Sequence, residues 1–454
     1  MPYNRRKTFE EMILGLAASG GGYVADTKQR LPLGTLDAIH RLRRDQADFA
    51  GRNVLVRTRG QLAAVVAAIA LDGLAKRLLL CPPDVRDEQI PDIIRGGEVE
   101  LTISDDDINI GTAVSRNHDA AVLRHFDTEW VLFTSGTSGM PKLVLHSFAS
   151  LTAPLHDGPA AENAVWSTFY DIRRYGGLQI LLRALICGGS MLLSEAEEHV
   201  TASLTRLGEA GVTHVSGTPS HWRRALMSGA AARMAPGYVR LSGEMAGQDI
   251  LDRLHAAYPQ ARIGHAFAST EAGVAFSVND GQAGFPAAVL EENPPHPLVR
   301  IENGTLRICS NATASGYLGE SARKLIDEYG FVDTGDVVER SGERYIFVGR
   351  REGVVNVGGQ KVHPEEVEAA INLHPGVAMS RVWGRASPIT GALITADIVL
   401  TAPTAGQRHD FPSIRDEIMA TCRAALAPHK VPVRLNHVVE IPMMTSGKIE
   451  RRHA

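Results

Sequence analysis

Apolar residues recur along this 454-residue chain in two rhythms. Short solid runs, such as VLV from Val54, RLLL from Arg77, VLF at 131–133 and SMLL at 190–193, have the length of buried strands. Between them lie stretches of helical spacing, as in the alanine-rich segment after Gln61 and around Ala202–Ala210. The alternation continues through VTHVSG at 212–217, a helix over Ser220–Met227, VRLSGE at 239–244 and ARIGHAF at 261–267, which predicts parallel sheets flanked by helices. The segment VLF is a strand, whereas LVL at 143–145 follows a breaker and reads equally as a resumed strand or a helix start.

After about residue 285 the pattern changes. Prolines cluster in FPAAVLEENPPHPLV, then come short strands punctuated by turns, TLRICS, GFVDTGDVVER and RYIFVGR, which fit a small antiparallel sheet or barrel. From Gly353 the texture is mixed again: a strand VVNV, a helix through EEVEAAINL, strands near MSRVWGR and ALITADIVL, and a helix over Ser413–Leu426. The expected fold class is α/β (mixed α+β). A large N-terminal domain, 1–351, holds parallel-rich sheets flanked by helices and a small distorted β-barrel at about 285–349. A small α+β domain, 352–454, follows, with the boundary at GRREG, 349–353.

Composition narrows the function classes. The net charge of −4 is small for this length and no long basic run occurs, so nucleic acid is not an expected partner. Four cysteines, Cys81, Cys187, Cys309 and Cys422, lie far apart without metal-site spacing, as expected of reduced thiols in a cytoplasmic protein. The basic N-terminus is followed by Glu10 and Glu11, which interrupt a signal-type apolar stretch, and no window suits a membrane span.

The candidate chemistry begins at TSGTSGMPK, Thr134–Lys142. Gly136 and Gly139 let backbone N–H groups approach an anion, Thr134, Ser135, Thr137 and Ser138 add hydroxyls, and Lys142 adds a charge suited to phosphate. A Walker loop is excluded: the required second glycine falls at Pro141, and Leu143 stands where a metal-binding hydroxyl is needed. FASTEAG, 267–273, sets Thr270 beside Glu271, a pair able to hold a magnesium ion and a phosphate oxygen. Asp336 in FVDTGDVVER offers an acceptor for ribose hydroxyls. FVGRREGVVNVGGQK supplies Arg350 and the Gly358–Gly359 loop, and PMMTSGKIERR places Lys448 near the end of the chain. Singly, these read as a helix cap, a turn aspartate and a surface lysine.

In this order, the five motifs resemble the AMP-forming adenylating superfamily: acyl- and aryl-CoA synthetases, adenylation domains of peptide synthetases, and beetle luciferase. The resemblance implies that Thr134–Lys142 embraces the β- and γ-phosphates of ATP. It also implies that Phe267 stacks near adenine within a nucleotide site formed with Ser242, Gly243, Ala268 and Ser269. Thr270 would contact the α-phosphate, Glu271 would ligate Mg²⁺, and Asp336 and Arg350 would hold the ribose. Lys448 would bind both the substrate carboxylate and the α-phosphate. A mobile C-terminal domain would pivot at Glu352 to exchange Lys448 for Gly358 and Gly359, beside a tunnel for the pantetheine thiol. The implied activity is an AMP-forming acid:CoA ligase, with ATP, CoA and an aryl or short- to medium-chain acid as partners. The alternatives are a stand-alone enzyme loading a carrier-protein pantetheine and a nucleotide-binding regulator without catalysis.

This chain departs from the family pattern at several positions. Glu244 replaces the second glycine of Ser-Gly-Gly, with an expected narrowing of the adenine or acyl pocket. Asn356 stands where lysine is usual. In FYDIRRYGGLQ, Arg174 falls where HxxGL members place a pocket histidine, so Arg174, Gly177 and Phe267 are the expected acyl-pocket residues. One arginine is expected to meet a polar substrate group there, the alternative being a surface charge, one of the two arginines pairing with Asp171.

Overall fold

The computed structural model describes residues 6–17, 21–110, 126–134, 140–155, 164–195, 197–291, 298–319, 324–402 and 411–451. Two twisted sheets dominate the N-terminal part. The first has eight strands in the order Gly273–Val278, Arg262–Ser269, Tyr238–Ser242, His214–Gly217, Val165–Thr168, Ser190–Leu192, Tyr23–Ala25, Arg30–Pro32. Its six central strands run parallel and each edge is closed by an antiparallel partner. The second has six strands, Gly316–Leu318, Lys142–Ser147, Glu129–Thr134, Arg77–Leu80, Asn53–Val56 and Leu101–Ile103.

Between the sheets lies the alanine-rich helix Gln61–Leu71, all eleven of whose residues are buried. Small side chains at every angle around the axis permit this, because no face must be kept for water. Its residues join those of Tyr175–Ile186 in one continuous apolar core.

The pattern change at 285 corresponds to a five-stranded, wholly antiparallel sheet, ordered Phe285–Pro286, Arg344–Arg350, Val332–Ser341, Thr305–Cys309, Leu298–Glu302. Beyond it, the strands Val377–Ser387, Gly391–Leu400 and Arg434–His437 pack with the helices Pro364–Asn372 and Phe411–Ala425 around a separate core that includes Val362, Val367, Ile371, Val382, Ile398 and Ile418. The segment after Pro141 is resolved in favour of a strand: Lys142–Ser147 pairs antiparallel with Glu129–Thr134, Thr134 opposite Lys142. A hairpin absent from the sequence reading also occurs, Arg262–Ser269 turning back at Thr270–Ala272 into Gly273–Val278.

Candidate active site

The FASTE segment ends the strand Arg262–Ser269, at the edge of the eight-stranded sheet. The turn is fixed from below. Buried His146 donates from Nε2 to the Thr270 carbonyl at 2.7 Å, with Nδ1 2.9 Å from Ser150 Oγ and the ring stacked on Tyr175 at 5.5 Å. Burial drives its pKa down to about 4, so the ring is neutral at pH 7. The Glu271 carbonyl accepts from Ala314 N at 2.9 Å, and its Oε1 lies 3.3 Å from the Tyr317 hydroxyl. Burial and the Glu271 charge both push the Tyr317 pKa up, which keeps the phenol a donor. Lys142 Nζ stands 5.7 Å from the centroid of the same ring.

Asp336 and Arg350 sit opposite one another in the pairing of Val332–Ser341 with Arg344–Arg350. Arg350 Nε donates to Asp336 Oδ1 at 3.2 Å and its Nη2 to the Thr334 carbonyl at 3.3 Å. Burial raises the Asp336 pKa against the opposing pull of Arg350 and Lys448. Phe267 is stacked between Phe276 and Phe347, with centroids 5.7 and 5.5 Å away. Thr134, at the end of its strand, has a buried hydroxyl with no hydrogen-bond partner among the described residues. Ser135, Gly136, Thr137, Ser138 and Gly139 lie outside the described residues.

Lys448 reaches this cluster from the far end of the chain. Its Cε is 3.7 Å from where a β-carbon on Gly243 would stand. Burial, then the nearby Arg350 charge, lower its pKa, while Glu244, Asp336 and Glu271 hold it up. The approach depends on a fitted loop. Gly447 has φ +75 and lies against half-buried, neutral His221, so any β-carbon there would run into the imidazole ring. Thr218 Oγ1 donates to the Gly447 carbonyl at 2.5 Å while capping the helix Pro219–Met227 by accepting from His221 N. Glu244 completes the seat: Oε1 accepts from Ile449 N and Oε2 from Ser220 N, both at 3.0 Å. The carboxylate of Glu244 is thus committed, one oxygen to the C-terminal segment and the other to the start of the helix Pro219–Met227. The Arg223 and Arg253 guanidiniums add contacts to the Ala378 and Val377 carbonyls, at 3.4 and 2.7 Å.

Of the arginines proposed for the acyl pocket, Arg174 makes a two-oxygen ion pair with Asp84 at 2.5 Å. Arg173 is 1% exposed, paired with Asp171 and bonded to the Thr58 carbonyl. Gly177 is a packing requirement, since a β-carbon would collide with the Asp171 carbonyl. The arginine that does reach the cavity beside Ser242 and Ala268 is Arg240, together with Arg183; the other walls include Tyr175, Gly176 and Val274. The sequence held a signal for Arg240: a charge between Val239 and Leu241, in a strand of a parallel sheet where uninterrupted apolar runs are the rule.

Glu352 is exposed in a single turn, Arg351–Gly353, directly after the strand Arg344–Arg350. Gly358 and Gly359 form the exposed tip of the hairpin Val355–Val357 and Gln360–Val362, the Gly359 N–H bonded to Asn356 Oδ1 at 2.9 Å. Among the described residues no cluster of three or more His, Cys, Asp or Glu side chains could hold a metal by itself, and no helix is long and apolar enough to cross a membrane.

Comparison with known proteins agrees with this architecture. Human mitochondrial acyl-coenzyme A synthetase ACSM1 is 24% identical over 427 residues, covering 86% of this chain and 72% of its own. The 2-succinylbenzoate–CoA ligase of Bacillus velezensis is 27% identical over 348 residues, 72% of this chain and 68% of its own. The crystal structure of a benzoate CoA ligase from Burkholderia xenovorans superposes with a TM-score of 0.78 at 19% identity, over 98% of this chain and 99% of that one. The AMP-binding enzyme family matches residues 53–318, and its C-terminal domain family matches 366–448. With more than half of its length inside the first match and residues 366–448 inside the second, the chain belongs to the AMP-binding enzyme family.

Proposed function

We propose that the protein activates a carboxylic acid with ATP and transfers the acyl group to the thiol of CoA, releasing pyrophosphate and AMP in turn. The observation that carries this reading is the convergence on one spot of Lys448, Glu271, Asp336 and Arg350, drawn from four separate segments and both matched domains. The CoA-ligase relatives support the same reaction class.

The barrier to the first step is electrostatic. A carboxylate oxygen attacks the α-phosphorus, so negative charge accumulates between two anions as the bond to pyrophosphate breaks. Lys448 is aimed at that region and its ammonium is positioned to bridge the acid and the α-phosphate. Thr270 presents its hydroxyl to the same phosphate, and the Thr134–Lys142 stretch receives the departing pyrophosphate. The Thr134 hydroxyl, without a partner among the described residues, is the kind of donor that an incoming phosphate oxygen would satisfy. Asp336 and Arg350, paired in the free protein, turn toward the ribose hydroxyls. A single carboxylate, Glu271, beside triphosphate oxygens suits Mg²⁺, which binds through one or two protein carboxylates plus substrate phosphates and would neutralise charge on the leaving group.

In the second step the thiolate sulfur attacks the acyl carbon and AMP leaves. Lys448 is inside the site while Gly358 and Gly359 are exposed at a hairpin tip, which supports a rotation about Glu352 that exchanges them. Four unpaired cysteines support a reducing, cytoplasmic setting. Acid-dependent exchange of pyrophosphate into ATP tests the first step, and Lys448→Ala is expected to reduce it by at least about 100-fold, the scale of losing one preorganised charge contact. No exchange with any acid of a broad panel would overturn the proposal, and acid-dependent exchange followed by transfer to a carrier-protein pantetheine but not to CoA would overturn its acceptor.

A further inference from the structure

Four carboxylates drawn in from the surface of this protein are each neutralised by an arginine: Asp171 by Arg173, Asp249 by Arg223, Asp397 by Arg381 and Glu368 by Arg451. That is the usual rule, because a charge withdrawn from water needs a partner to replace its hydration. Half-buried Glu271 departs from it. Its Oε1 accepts from the Tyr317 hydroxyl at 3.3 Å, and among the described residues its carboxylate has no other hydrogen bond and no ion pair.

The backbone beneath that carboxylate is held at each step. The Thr270 carbonyl accepts from His146 and the Glu271 carbonyl from Ala314 N. Ala272 N donates to Ser269 Oγ at 2.9 Å, and Val274 N to the Tyr175 hydroxyl at 3.1 Å. Gly273, at φ +76, has no room for a β-carbon beside the Ala312 carbonyl. What the turn leaves open is the side chain itself, because a glutamate has several rotatable bonds and its carboxylate can sweep a wide arc. The Tyr317 hydroxyl closes that freedom.

Tyr317 arrives from the other sheet. It is the middle residue of the strand Gly316–Leu318 and lies opposite Val144, in the strand that begins with Lys142. The Lys142 ammonium stands 5.7 Å from the centroid of the same ring. One neutral side chain therefore touches both charges in this corner of the site and cancels neither. A lysine or arginine at position 317 would hold the Glu271 carboxylate as well, but would consume its charge.

We infer that Tyr317 is the positioning residue for the carboxylate that meets Mg²⁺: its hydroxyl fixes one oxygen of Glu271 and leaves the other, with the negative charge intact, for the cation that accompanies ATP. The inference rests on the acid-activating reading above, in which Glu271 is the protein's ligand to that cation. A group that orients a ligating carboxylate contributes to metal affinity through the ligand, without touching the metal.

The test measures ATP affinity by calorimetry, without acid, in excess Mg²⁺ and again in excess EDTA. The factor by which Mg²⁺ tightens binding reports the cation's contribution, and Glu271→Gln sets its floor. Tyr317→Phe keeps the ring and removes only the hydroxyl. It should lower that factor by about 10-fold, the low end of the loss when a group supporting a metal ligand is removed, with affinity in EDTA unchanged. In acid-dependent exchange of pyrophosphate into ATP, the Mg²⁺ concentration for half-maximal rate should rise in step, with a much smaller change in the rate at saturation. A factor unmoved by Tyr317→Phe in protein that melts normally, or an equal fall in both media, overturns the inference and leaves acid activation standing. A wild-type factor no larger than that of Glu271→Gln, with exchange proceeding, overturns it as well. Absence of exchange with every acid overturns the activation reading, and Mg²⁺-tightened ATP binding that depends on the Tyr317 hydroxyl then retains the positioning assignment.

Discussion

Glu244 offers the sharpest test of how Lys448, the proposed catalytic lysine, is held in place. Its two oxygens hold two backbone N–H groups, each at 3.0 Å: Ser220 N, within the first turn of Pro219–Met227, and Ile449 N, next to Lys448. The first bond stays within the N-terminal part; the second spans 205 positions of sequence and ties the residue after Lys448 to the first matched region. Glu244→Ala removes both. A hydrogen bond to a charged group contributes about 1.5–3 kcal/mol, so loss of the Ile449 contact alone should shift the equilibrium away from the seated lysine by about 2 kcal/mol, or roughly 30-fold. The adenylate burst in a rapid-quench experiment should slow by up to that factor. Thioester formation from preformed acyl adenylate, which in the proposed cycle has the lysine withdrawn, should be unchanged or faster. Glu244→Gln keeps one acceptor oxygen and should fall between. Loss of the Ser220 contact lowers stability as well, so melting curves must show both variants folded at the assay temperature. Equal slowing of the two half-reactions, or an unaltered burst, would refute the reasoning.

Two further outcomes follow from the same geometry. Glu352→Pro, at the exposed turn after Arg350, should spare adenylate formation and block thioester formation in single-turnover assays, because fixing φ removes a torsion the swing requires. Buried His146, with its pKa near 4 against an ordinary 6.5, stays neutral in the fold while the unfolded chain takes up a proton. Stability is therefore intact above about pH 6.5 and falls toward pH 4, by about 3 kcal/mol from this group at about 1.4 kcal/mol per unit. His146→Gln should flatten that acid slope in thermal melts by close to one proton, and an unchanged slope would show that the ring is not held neutral.

Long elements and local motifs were readable from the chain because each carries its own signal. The apolar helix Gln61–Leu71 needs no partner to be recognised, and the change of rhythm at residue 285 marks the antiparallel sheet by turn chemistry alone. The short paired strands Tyr23–Ala25 and Arg30–Pro32 carry too few residues for a period to show, and the return strand Gly273–Val278 was masked by the chemistry of FASTEAG just before it. Side-chain partners were harder still. RR at 173–174 looked like pocket charge because its motif position suggested it, but Asp84, ninety positions upstream, claims Arg174. Glu244 could be noticed only as a missing glycine; its use depends on Ile449, which no local pattern connects to it. Arg240 was legible in principle, as a charge out of place in an apolar strand.

The contact between Gly447 and His221 sets one last condition. A neutral ring, stacked on Phe169 at 5.4 Å and held through Nδ1 by the Thr218 N–H, is a fixed surface that accepts a bare backbone and nothing larger. Under the proposed rotation it would serve as a depth stop. A loop returning one residue out of register would bring Ser446 or Lys448 against the imidazole and stall short of the site. Shape at a single glycine would then check each closure of the proposed cycle before any charge is brought to bear.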